Sequence, residues 1–353
     1  MPVPILRVIP ILSLAATALA QAPPYHEHGD LLYIQERSGG IRSVQSPKDW
    51  AERRTHILAH AEEVMGAMPS PPRSTPHVEV IEERKMDGLL LRKITYEALD
   101  GDPVPAYLLL PDTPGQRPAV LALHPTGPLG KGIVMGDSER ENRNYGEELA
   151  KRGYVVLAPD YPTMGDPQTD PYELGYVSTT MKGIYNHSRG VDLLASLERV
   201  DPERIGAIGH SLGGHNALFI ALFDERIRAV VTSCGFNSFF QYYGGDLTGW
   251  SSSKYMPRIA ERYGKDPARM PFDFTEVLAA IAPRPVFINA PVDDSNFEVT
   301  GVYNCLRAAR PVYDRVFQAG DRLVAEHPTC GHDFPTDVRE RAYAFLDRYL
   351  EAK

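Results

Sequence analysis

From Leu89 onward the chain alternates short apolar runs with stretches of helical periodicity. The runs predict strands over 89–96, 104–110, 119–124, 154–158, 205–208, 227–232, 285–290 and 322–326. Between them the spacing predicts a helix ending near Gly153, one over about 172–200 and one over 212–222. Val338, Ala342, Phe345, Tyr349 and Leu350 stripe a closing helix. Strands that alternate with helices form a mostly parallel sheet covered on both faces, the α/β class. In such sheets ligands gather at the carboxyl ends of the strands, so the residues that end each run carry the functional interest.

The segment before Leu89 reads differently. Arg7 precedes the apolar run from Val8 to Ala16, followed by Thr17 and Ala18-Leu19-Ala20, which predicts a signal peptide over 1–20 cleaved after Ala20. The run is shorter than the roughly 20 apolar residues that span a bilayer, so export to the periplasm or medium is expected rather than stable membrane insertion. Residues 21–87 are polar, with a Pro-rich stretch at Pro69-Ser70-Pro71-Pro72 and one clear helix between Ser46 and Met65. Ser46 suits the cap, Pro47 the first helical position, and Asp49 completes a capping-box spacing. Trp50, Ile57, Leu58, Val64 and Met65 fall near one face, so this segment is expected to dock on a larger body as an appendage to a catalytic domain over 88–353.

The strand ending at Ile208 runs into Gly209-His210-Ser211-Leu212-Gly213 and then into the predicted helix over 212–222. G-x-S-x-G between a strand and a helix is the nucleophile-elbow pattern: the turn is tight enough that the positions two residues either side of the serine must lack bulk. Ser211 is therefore the candidate nucleophile. A serine needs a base, and the base an orienting carboxylate, in the chain order Ser, Asp or Glu, His for this arrangement. His332, in the last loop before the closing helix, is the candidate base, with His327 as competitor beside Pro328. Strand 285–290 leads into Asp293-Asp294; adjacent loop residues cannot both point at one imidazole, and Asp294 is taken over Asp293. Asp160 also ends a strand but precedes the serine and breaks the order. For the oxyanion, the donors expected are the backbone N–H of Leu212 and one from His124-Pro125-Thr126-Gly127. Pro125 has none to give, which leaves Thr126 first and Gly127 next. His124 is read as orienting that loop.

Composition narrows the chemistry. With 37 Lys+Arg against 46 Asp+Glu the net charge is −9, which argues against a nucleic-acid binder. Three cysteines, Cys234, Cys305 and Cys330, are too few for a disulfide scaffold, and the sequence has no CxxC. His56 and His60 have a metal-compatible spacing but lack the glutamate of H-E-x-x-H, and are read as surface histidines. His26-Glu27-His28 is a short tract with the chemistry to bind a metal adventitiously. No cofactor and no metal are expected.

These residues resemble the serine α/β-hydrolases around the dienelactone hydrolase and acetyl xylan esterase families, with prolyl oligopeptidase-type catalytic domains as relatives. The resemblance covers about 89–350. It rests on Gly209-His210-Ser211-Leu212-Gly213-Gly214, on Ala282-Pro283-Arg284-Pro285-Val286 leading to Asp294, and on Gly331-His332. It implies the α/β-hydrolase fold, places the acid at Asp294, and implies an ester hydrolase that works through an acyl-enzyme on a small-molecule or carbohydrate ester. Dienelactone hydrolases use a cysteine nucleophile, so lactone specificity does not carry over to a chain with Ser211. Prolyl oligopeptidases carry a large propeller that the N-terminal segment here is too short to make, which leaves peptidase action as the alternative. Between about 236 and 270 the rhythm breaks into Phe239-Phe240-Gln241-Tyr242-Tyr243-Gly244-Gly245, Trp250 and Tyr255-Met256-Pro257-Arg258. This stretch is expected to form a lid whose rings, Trp250 and Tyr243 among them, either stack on substrate or seal the lid against the body.

Overall fold

In the strands of the sheet centre, successive residues face opposite hydrophobic layers. Leu121, Val155 and Leu157 enter one apolar cluster, and their neighbours Val120, Val156 and Ala158 enter another. A strand buried on both sides has no polar face to show, which is why these runs read as continuously apolar. The computed structural model describes residues 22–70 and 74–350. In chain order its elements are β1 (Tyr33–Gln35), β2 (Ile41–Ser43), α1 (Pro47–Met65), β3 (Val78–Met86), β4 (Leu89–Leu99), β5 (Asp102–Pro111), β6 (Arg117–Leu123), α2 (Tyr145–Lys151), β7 (Val155–Pro159), α3 (Thr179–Ser196), β8 (Val200–His210), α4 (Leu212–Phe223), β9 (Ile227–Ser233), α5 (Arg258–Glu261), α6 (Phe274–Ala280), β10 (Val286–Asn289), α7 (Val299–Pro311), β11 (Leu323–Glu326) and α8 (Thr336–Leu350).

Nine strands form one sheet in the order β11-β10-β9-β8-β6-β7-β5-β4-β3. From β6 through β11 the pairings are parallel. The β3-β4-β5 meander joins antiparallel, through β5 on β7. One face carries α1, α3, α4, α6 and α7, and the other α2 and α8. This is the α/β-hydrolase arrangement, with a mostly parallel sheet between helices.

The N-terminal segment is tied to the body by charge as well as by apolar contact. α1 begins where expected: Ser46 Oγ accepts from the N–H of Asp49 at 3.2 Å. Trp50, Ile57, Val64 and Met65 are buried, and Leu58 lies at the margin. Arg54 donates to Leu222 O at 2.7 Å and Ala280 O at 3.0 Å, placing a cation on the carbonyl ends of α4 and α6. Arg53 and His28 meet Glu276 inside the body at 2.5 and 2.7 Å.

Four expectations change. Within 21–87 the described residues hold strands as well as the one helix: β1 and β2 pair as a hairpin, and β3 is an edge strand of the main sheet, so the boundary with the body falls before β3. The helix expected over 172–200 is shorter, because Ser178 caps α3 by accepting from Met181 N at 3.0 Å and the chain turns back into β8 at Val200. His60 is buried rather than on the surface, and His56, half-buried, bonds the Tyr25 hydroxyl at 2.8 Å. His28 is occupied by Glu276 and so is removed from any metal tract. The predicted signal peptide lies outside the described residues. Among those described, no helix is long and apolar enough to cross a membrane.

Candidate active site

Ser211 sits between β8 and α4 at φ 55°, ψ −119°, a left-handed backbone that non-glycine residues rarely adopt and that functional sites concentrate. The turn is held by Ser211 N donating to Ser233 O at 2.8 Å. Its two glycines are required by close approach. A Cβ on Gly209 would lie 2.1 Å from Gly213 O, and one on Gly213 would lie 1.8 Å from Leu123 O. Both obstacles are backbone, so neither moves cheaply. Gly213→Ala is expected to destabilise the protein by about 1–3 kcal/mol through overpacking and to remove most ester turnover. Chemical denaturation and a rate measurement check this, and wild-type behaviour in both would contradict it.

His332 and Asp294 come from two loops at the same end of the sheet. His332 Nδ1 lies 3.0 and 2.9 Å from the two oxygens of Asp294. Asp294 is 4% exposed, and its Oδ1 also accepts from the backbone N–H groups of Asn296 at 2.8 Å and Phe297 at 3.1 Å. Burial works to raise its pKa, but the bond and charge of His332 and these two amides outweigh it and hold the carboxyl below its ordinary value. An acid kept ionised in this way fixes the imidazole's orientation and tautomer. The His332 ring lies 4.9 Å from the ring of His210, the residue preceding Ser211. Asp293 is exposed, and His327 is turned away, with Nδ1 2.9 Å from Ala290 O and its ring edge-on to Tyr303.

The loop carrying His332 is clamped by residues that sequence reading passed over. Arg143 donates to His332 O at 3.1 Å and to Asp333 Oδ1 at 2.6 Å. Asn289 donates to Asp333 O and to Ser233 Oγ, both at 2.8 Å, and Ser233 Oγ lies 2.9 Å from His210 Nδ1. Arg143 lies in a charged run that reads as solvated surface, and no motif marks it. Cys234, Asp294 and His332 offer three metal-type ligand atoms within 4.8 Å of one another. The last two are already bonded to each other, and the thiol donates to Asp333 O at 3.3 Å. Burial first, and then the charge of Asp294, push the Cys234 thiol well above its ordinary pKa, so it stays protonated.

Of the two residues expected to hold the oxyanion, Leu212 is buried at the first position of α4 and Thr126 is exposed in the loop after β6. His124 ties that loop down: Nδ1 donates to Pro125 O at 2.7 Å, and Nε2 accepts from Tyr161 N at 2.9 Å. Asp160 is committed elsewhere, buried against Lys131 Nζ at 2.6 Å. The two lid rings part company. Trp250 is 3% exposed, packed among His215, Phe239, Tyr242, Phe274 and Phe297, and so seals the lid instead of offering a platform. Tyr243 is 61% exposed at φ 45°, with its hydroxyl 3.2 Å from Asn296 Oδ1. A cavity of about 930 Å³ lies away from all of these, between the N-terminal segment and the lid, lined by Tyr25, His26, Glu36, His60, Tyr263 and Met270 among others. The strained serine and the His–Asp pair, rather than that volume, mark the candidate site.

Two families of known proteins match parts of the chain: residues 104–245 match the dienelactone hydrolase family, and residues 176–316 match the family described as glucuronyl esterase, fungi. YtaP of Bacillus subtilis (strain 168) is 27% identical over 315 residues, covering 85% of this chain and 99% of that protein. Among solved structures, a glucuronoyl esterase from Solibacter usitatus is 22% identical with a TM-score of 0.71, covering 94% of this chain and 100% of that one. Acetyl xylan esterase 1 from Thermoanaerobacterium sp. JW/SL YS485 is 17% identical with a TM-score of 0.57, covering 87% of this chain and 95% of that one. At these identities the structural likeness speaks for the fold.

Proposed function

We propose that this chain, a carboxylic ester hydrolase of the dienelactone hydrolase and esterase-like group of serine hydrolases, cleaves acyl or uronoyl esters of carbohydrates through an acyl-enzyme on Ser211. In this reading Ser211 Oγ attacks the ester carbonyl while His332 takes its proton and then returns it to the departing alcohol. Asp294 orients His332, and the amides of Leu212 and Thr126 hold the oxyanion. Water then attacks the acyl-enzyme by the same proton route and frees Ser211. The observation that carries the reading is the Asp294–His332 pair at 2.9 Å, with the His332 ring 4.9 Å from that of His210, the chain neighbour of a serine with φ 55°.

The carbohydrate part rests on the match of residues 176–316 to the glucuronyl esterase family and on Tyr243. That exposed ring is linked through Asn296 to the loop of Asp294, where a sugar face has access to it. The matched families are named for ester and lactone hydrolysis, and the peptidase alternative has no comparable support. Export through residues 1–20 belongs to the same proposal and suits a polymeric substrate outside the cell.

The test is a substrate panel with the protein lacking residues 1–20: 4-nitrophenyl acetate, butyrate and octanoate, acetylated xylan, a methyl glucuronate ester and a proline-containing peptide anilide. Ester turnover with release of acetate or methanol from a sugar substrate is expected. Cleavage of the anilide alone would overturn the ester reading.

A further inference from the structure

One stretch of the lid is bound to the body through its own carbonyls. Ser253 O accepts from the Tyr172 hydroxyl at 2.6 Å and from Thr179 Oγ1 at 2.7 Å. Lys254 O accepts from the Tyr161 hydroxyl at 3.0 Å, and Tyr255 O accepts from Thr180 N at 3.2 Å. These donors lie in the connection between β7 and α3 and in the first turn of α3, so three consecutive residues of this stretch are fixed to the body of the fold. A catalytic group must keep its geometry to within a fraction of an ångström, and backbone anchoring of this kind supplies such a hold.

The side chain so held is Tyr255. Its ring packs in a small apolar cluster with Leu212, Tyr161 and Met164. Its hydroxyl lies 3.3 Å from Thr126 Oγ1. Leu212 and Thr126 are the two residues whose amides hold the oxyanion in the proposed mechanism; Tyr255 bonds the second and packs against the cluster that contains the first. In the Thr126–Tyr255 bond either oxygen can be the donor. With Thr126 donating, the phenolic O–H is left to point at a third acceptor.

We propose that Tyr255 is a catalytic residue, whose O–H donates a hydrogen bond to the ester carbonyl oxygen as Ser211 attacks. The inference rests on the assignment of Ser211 as nucleophile. As the Ser211 Oγ–C bond forms, the carbonyl π pair moves onto oxygen and the serine proton moves to His332. Tyr255 keeps its proton and stabilises the new charge beside the Leu212 and Thr126 amides. When the C–O bond to the alcohol breaks, the pair returns to the carbonyl and the contact relaxes. A donor of this type acts on the transition state more than on the bound ester.

Tyr255→Phe removes one oxygen and keeps the ring. The expected result is a fall in kcat of about a hundredfold with KM within about threefold, as for loss of one oxyanion donor. Affinity for a trifluoromethyl ketone that adds to Ser211 should fall by the same factor, while melting temperature and saturating fluorophosphonate labelling stay at wild-type levels. A kcat within threefold of wild type for Tyr255→Phe, or a loss confined to KM, would overturn the proposal. Turnover retained by Ser211→Ala would instead bring down the site assignment, and this inference with it.

Discussion

Ser211→Ala is expected to lower ester turnover by at least about ten-thousandfold, with the melting temperature unchanged. The backbone at this position is strained at φ 55°, but alanine meets the same strain as serine, so the turn itself is kept. What would be lost is the atom that, in the proposed mechanism, bonds the acyl carbon. His332→Ala is expected to cost nearly as much, because in that mechanism Ser211 keeps its proton when the base is gone. The double variant should be little worse than either single one, since groups that act as a unit fail as a unit. Multiplicative losses would mean that the two residues act in separate steps, and the arrangement at 2.9 Å from His332 to Asp294 would then need another role. Initial rates on 4-nitrophenyl acetate, with fluorophosphonate labelling as the independent readout of Ser211, decide between these outcomes.

The parts of this arrangement legible in the sequence are those imposed by local chain geometry. Gly209 and Gly213 are dictated by contacts within the elbow and with the neighbouring strand, where any Cβ would meet backbone. The buried strands announce themselves because both of their faces are apolar. β3 is the contrary case. It lies at the sheet edge and carries Glu79, Glu82, Glu83, Arg84 and Lys85, the charged dressing that keeps edge strands from pairing with other chains. That dressing erases the alternation by which a strand is recognised. Arg143 and Tyr255 were hidden for a different reason. Each acts on a residue far away in sequence, Arg143 on His332 and Tyr255 on Thr126, and no local spacing encodes such a meeting. Trp250 shows the limit from the other side: an aromatic ring in a lid has the same letter whether it faces substrate or the core, and only packing distinguishes them.

The same long-range character governs the junction between the N-terminal segment and the body, where Glu276→Ala is expected to cost about 3–5 kcal/mol, on the order of 10 °C in melting temperature. Glu276 is 0% exposed and receives both Arg53, also 0% exposed, and His28. Removing the carboxylate leaves a buried guanidinium without its anion, and it also removes the Glu276 half of the capping box that starts α6. Adding Arg53→Met to Glu276→Ala should restore part of the loss, because an apolar pair lacks the buried charge. The deficit should also depend on pH in a defined way. Burial acts to raise the Glu276 pKa, but His28 and Arg53 prevail and hold it at about 2 against an ordinary 4.5, so its contribution is complete above 4.5 and fades as pH falls towards 2. His28 is the mirror case: burial lowers its pKa, Glu276 more than offsets that, and the net shift is upward from 6.5. Its contribution is complete below 6.5 and fades as pH rises through the raised value. The stability gap between wild type and Glu276→Ala should therefore be widest between 4.5 and 6.5, closing in acid and narrowing in alkali to what Arg53 alone supplies. Urea denaturation of both proteins across that range tests it. A gap that stays flat above 6.5 would show that His28 sits neutral against Glu276, and that Arg53 alone makes the ionic part of the junction.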